Sequence, residues 1–107
     1  MKIYIVEQLD LMGFPVYIKY FQKLEQAKLD FHKRLKEEKH KDDFAKDEDL
    51  DYNNFKKNGL VREPEKLIFP TAILQADLAF WQTWSNENGT ESDIVNNTLF
   101  IREVEVE

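Results

Sequence analysis

Residues 71–89, TAILQADLAFWQTWSNENG, fit two periods, and each implies a different molecule. At period two, Ala72, Leu74, Ala76, Leu78 and Phe80 share one face, as in a strand with one side buried. At the helical period, Ile73, Leu74, Leu78, Trp81 and Trp84 come together instead. Thr71 is a suitable N-cap, Ala72, Ala76 and Ala79 favour helix, and Gly89 suits a terminator. These local signals tip the reading to a helix over residues 71–86. Trp81, Trp84 and the adjacent Phe80 are then read as core rather than as interface aromatics.

The segments on either side are plainer. KIYIVEQ is β-branched and aromatic and predicts a strand over 2–7. DLMGFP, residues 10–15, holds the turn residues Gly13 and Pro15, and VYIKYF predicts a second strand over 16–21 that pairs with the first as a hairpin. Leu24, Ala27, Phe31 and Leu35 recur at spacings of three and four, the apolar stripe of an amphipathic helix over 22–39. Asp30 lies within reach of Lys33 and Arg34 on neighbouring turns. TLFIREVEVE predicts a last strand over 98–106. Between helix and final strand, residues 41–66 form a polar, acidic excursion in which Asn58-Gly59 is a plausible helix terminator. LIF at 67–69 suits a short strand.

The predicted strands are partly apolar on both faces. A sheet with one solvated face would alternate apolar with polar, so both faces should be covered. The helix over 22–39 covers one; the other is left to residues 71–86 or to a second copy of the chain, a homodimer. The expected fold is one α+β domain over 1–107, with a small antiparallel sheet and two helices.

At 107 residues the chain has room for a single core, and 42% hydrophobic with 34% charged residues is ordinary for a globular protein. There is no cysteine, which removes disulfides, thiol nucleophiles and cysteine zinc sites. The N-terminus is charged too soon for a signal peptide, and no apolar run approaches the roughly 18 residues of a membrane span. A cytoplasmic location and no membrane partner are therefore expected.

Net charge is −6, unevenly spread. Lys19 to Lys36 sums to +4, while Glu37 to Asp51 and Glu87 to Glu107 each sum to −5. Phosphate contacts need concentrated positive charge, and the lysines of the basic segment are interleaved with acids, so direct nucleic-acid binding is not expected. Acidic segments favour a basic protein partner.

The chemistry-bearing residues do not assemble into a known signature. Asp47, Asp49 and Asp51 fit the first, third and fifth positions of a calcium loop, but Tyr52 stands where glycine is needed and Asn58 where a bidentate glutamate is needed. His32 and His40 do not make a metal site by themselves, and His40 reads as an exposed helix-end residue. Ser85 and Ser92 lack a nucleophile context, and Gly13, Gly59 and Gly89 lie too far apart for a phosphate loop. Asp51, Glu63, Glu65 and Lys66 lack the spacing of a metal nuclease. No catalytic residue, metal or cofactor is assigned.

The opening KIYIV strand, its hairpin partner, the helix beginning QKLEQAK and the closing TLFIREVEVE resemble small proteins from phages and mobile elements of Gram-positive bacteria. Some acidic members of that population are similar in size to anti-CRISPR proteins, which block Cas effectors by occupying their basic nucleic-acid channels. The resemblance covers the two ends and the first helix, and it implies a class without transferring any residue's role. The expectation is thus a non-enzymatic acidic inhibitor of a basic host protein such as a Cas nuclease. Asp42, Asp43, Asp47, Glu48, Asp49 and Asp51 would supply the field, and Tyr52 and Phe55 the apolar anchors. The alternative is a small homodimeric accessory domain whose acidic loop only keeps it soluble.

Overall fold

The computed structural model describes residues 1–50, 57–64 and 70–107. Its centre is a five-stranded antiparallel sheet of β1 (Lys2–Leu9), β2 (Pro15–Phe21), β3 (Val61–Arg62), β4 (Ala72–Asn86) and β5 (Gly89–Glu105), in the order β2-β1-β5-β4-β3. One helix, α1 (Leu24–Lys39), crosses one face, and a single 3-10 turn spans Asp47–Asp49. The α+β class holds, and β1, β2 and α1 lie close to where the sequence predicts them.

Residues 71–86 are not a helix. They form β4, and the period-two set is the one that is buried: Ala76, Leu78 and Phe80 are core, with Leu74 packed against them. Across β5 they meet Leu99, Asn97 and Val95 in register. The Thr71 carbonyl accepts a hydrogen bond from the Glu103 N–H (2.9 Å) rather than starting a helix. Gly89 does not end one either. At φ +119° it closes the two-residue turn of a hairpin, a conformation that side-chain-bearing residues rarely adopt. Alanine propensity is worth only tenths of a kcal/mol per residue, and pairing plus core burial outweigh it. The last strand consequently begins at Gly89 rather than 98, and among the described residues no second helix covers the far face. The LIF segment at 67–69 lies outside the described residues.

The core lies between α1 and the sheet. Ala27, Phe31 and Leu35 pack onto Val6, Leu99 and Ile101, as the stripe spacing requires. The same spacing continues to Glu38, a carboxylate at a core position and 1% exposed. Asp30 does not serve its own helix. It accepts a hydrogen bond from Tyr17 Oη (2.7 Å) and lies 3.7 Å from Lys19 Nζ, which ties α1 to β2. His40 stands at the helix end and donates from Nδ1 to the Lys36 carbonyl (2.7 Å).

Candidate protein-binding surface

β5 pairs with β1 only as far as Thr98, and the outer neighbours of β4 stop at Trp81. Among the described residues, the β4 and β5 strands from Gln82 to Asp93 pair only with each other. They form a two-stranded arm in which every residue from Trp81 to Asp93 is exposed. A free hairpin of this length is marginal in water; here its strands continue into the sheet that holds them. Cross-strand contacts such as Thr83 Oγ1 to Ser92 Oγ (2.9 Å) fix the register. The molecule is accordingly long, 55 × 28 × 27 Å.

The arm's root is braced from the excursion. The Trp81 N–H donates to the Asp43 carbonyl (2.7 Å), and the Ala45 N–H to the Ala79 carbonyl (3.0 Å). Between this contact and β3 the edge of β4 is completed by one side chain. Asn58, 3% exposed, accepts from the Ala79 N–H through Oδ1 (2.8 Å). Its Nδ2 donates to the carbonyls of Ala79 (3.0 Å) and Ala45 (2.8 Å). The amide does what a peptide unit of a neighbouring strand would do. Gly59 follows at φ +75°, and its N–H reaches the Asp77 carbonyl (3.0 Å). A Cβ there would come within 2.7 Å of Lys39 Cε. Asn58-Gly59 therefore patches the edge of β4, and the residues before it, 51–56, on which its reading as a helix terminator depends, lie outside the described residues.

This bracing sets the position of the acidic segment. Asp42, Asp43, Glu48 and Asp49 are exposed beside the root of the arm. Asp47 has a structural duty, since its Oδ1 accepts the Asn58 N–H (2.7 Å). Asp51, Tyr52 and Phe55 lie outside the described residues. The arm adds Glu87, Glu91 and Asp93 without any lysine or arginine between Trp81 and Ile94. Asp93 pairs with Gln82, the residue after the one bonded to Asp43. With strands about 4.8 Å apart, the backbones at Asp43 and Asp93 stand roughly 10 Å from each other across β4, and Glu91 and Glu87 lie farther out along the arm.

Two aromatic side chains share this end. Trp81 and Trp84 are 38% and 40% exposed, while Phe80 alone of the three is core. The period-two pattern carried that distinction, because Phe80 ends the run of alternating apolar residues and the tryptophans lie beyond it.

An open cleft of about 720 Å³ lies between the β1–β2 turn, the second half of α1 and the root of the arm. Its floor is a closed polar network. Buried Gln8 donates to Asn97 Oδ1 (2.9 Å) and accepts from Arg34 Nε (3.0 Å). Glu38 Oε1 makes no well-aligned hydrogen bond, and two cations offset its charge: Arg34 Nη2 at 2.7 Å and Lys41 Nζ at 2.9 Å. Arg34 also stacks over the Tyr17 ring at 4.4 Å. These contacts fasten α1 to β1 and β5, with the Glu38 carboxylate held by ion pairing rather than by an aligned hydrogen bond. The Tyr17 hydroxyl is pushed up to about 12, first by burial and then by its hydrogen bond to the negative Asp30.

Among the described residues no group of three His, Asp or Glu side chains converges on a metal position, and no helix is long and apolar enough to cross a membrane. No family model, curated protein or solved structure matches the chain.

Proposed function

We propose that this chain is a non-enzymatic binding module that places its acidic arm against a basic, nucleic-acid-binding surface of a protein partner. The observation that carries this reading is the convergence of acids from two distant segments at one end of an elongated molecule. Asp43 is bonded to Trp81 at the arm's root, with Asp42, Glu48 and Asp49 in the same braced segment, and Asp93, Glu91 and Glu87 follow outward along the arm. Residues 42–50 and 81–94 carry −4 and −3, so together they exceed the net charge of the whole chain, −6. Such a field steers a basic partner and competes with nucleic acid for it. Charge alone gives encounter more than affinity, and Trp81 and Trp84, on opposite faces of the arm, each offer an exposed aromatic side chain of the kind hot spots use.

A phage-type inhibitor of a Cas effector is the specific form this takes if the resemblance of the chain's two ends and first helix reflects its origin. The test is competition. A purified Cas nuclease–guide complex is titrated with the chain, then with short duplex DNA. Binding that DNA displaces and that weakens with added salt is the expected result. Absence of binding removes Cas effectors as the target class.

A further inference from the structure

We propose that two copies of this chain pair along β2, antiparallel about a two-fold axis at Ile18, and join their sheets into one. The inference concerns the sheet edge opposite β3 and does not depend on the acidic arm.

Among the described residues β2 has a strand neighbour on one side only. An open strand edge presents unpaired N–H and C=O groups, and native proteins blunt such edges with charge, proline or cover. Here the blunting is slight. Pro15 stands at the first position, and Lys19 leans toward Asp30 on the face that α1 covers. Among the described residues, six of the eleven large exposed hydrophobics lie between Leu11 and Tyr20: Leu11, Met12, Phe14, Val16, Ile18 and Tyr20, each 41 to 76% exposed. The turn that carries the first three is fixed, since Asp10 Oδ1 accepts the N–H groups of Met12 and Phe14, both at 2.9 Å. Val16, Ile18 and Tyr20 lie on the strand beside its open edge, and Leu11, Met12 and Phe14 continue the apolar strip into the turn.

The strip fits a second copy of itself. With the axis at Ile18, Ile18 faces Ile18, Val16 faces Tyr20, and Tyr17 faces Lys19. Apolar meets apolar on the open face, and each ammonium meets a ring on the other. Centring on Lys19 would oppose two ammonium groups and pair only residues 17–21, and centring on Tyr17 would pair only residues 15–19, whereas the Ile18 axis pairs the whole of β2, Pro15 lying at its end opposite Phe21. Charge favours the same edge. Residues 11–24 hold no acid, while the acids of residues 42–49 and of the arm lie along β4, beyond β1 and β5. Two chains of −6 meet at β2 with their negative ends held apart.

The experiment reads mass by light scattering on the full chain at high micromolar concentration, together with cross-linking. The wild type is expected at twice the 12.8 kDa chain mass and Ile18→Lys at the single mass, with unchanged circular dichroism. Because the chain has no cysteine, Ile18→Cys offers one thiol, which the axis sets opposite its copy at a Cα separation of about 4.5–5.5 Å, within disulfide range. Mild oxidation should link Ile18→Cys into dimers and leave Leu29→Cys, exposed on α1, monomeric. A wild type at single mass, a dimer that survives Ile18→Lys, or equal cross-linking of the two cysteine variants would overturn the proposal.

Discussion

Asn58 replaces a missing stretch of strand with one amide, and its removal should show how much that replacement contributes. Asn58→Ala leaves the Ala79 N–H and the Ala45 carbonyl without partners in a buried setting. Each orphaned group costs about 1–3 kcal/mol, so a loss of roughly 2–4 kcal/mol in urea unfolding is expected, beyond that of an ordinary surface change. Tyr17 makes a second prediction at this scale. Its folded hydroxyl is held at about 12 against an ordinary 10, so the fold favours the protonated phenol. That contribution is complete below pH 10 and is lost as pH rises toward 12. The stability difference between wild type and Tyr17→Phe should therefore be constant below pH 10 and move against the wild type above it. Such residue roles were unevenly legible. Glu38 sits where the Leu24–Leu35 stripe continues, so its burial was readable from spacing. Nothing local in Asn58 announces that its partners are Ala45 and Ala79, 13 and 21 residues away.

The hairpin of β4 and β5 is where local and tertiary signals disagree. Alanines, Thr71 and Gly89 speak for a helix because each acts over a few residues. The alternation Ala72 to Phe80 speaks for a strand, and its advantage comes from β5 and α1, which a local window does not contain. One pair of substitutions separates the two readings. Leu78 and Trp84 share a stripe in a helix, so both would be costly there. In the hairpin, Leu78 is buried in the core and Trp84 stands on the arm. Leu78→Ala should cost about 2–5 kcal/mol and Trp84→Ala under about 1 kcal/mol, measured by thermal or urea unfolding. By contrast, α1 was legible because it carries a single unopposed period, and β1 and β2 because runs of β-branched and aromatic residues flank the Gly13 and Pro15 turn.

At the scale of the whole molecule, charge distribution and topology act together. The sequence shows the acidic segments at 37–51 and 87–107, but their adjacency arises only from the strand order, which sets Asp43 against Trp81 and Asp93 across β4. The acidic stretch was legible as a candidate; the arm was not, because its tryptophans were assigned to a helix that does not form. The decisive measurement is capture from nuclease-treated bacterial lysate, read by mass spectrometry, on the wild-type chain and on a variant carrying Asp42→Asn, Asp43→Asn, Glu48→Gln and Asp49→Asn. All four are exposed, so the variant should keep its fold, which circular dichroism checks. A basic protein retained by the wild type and lost from the variant is the predicted result. Equal retention by both, or retention of no basic protein, would contradict it.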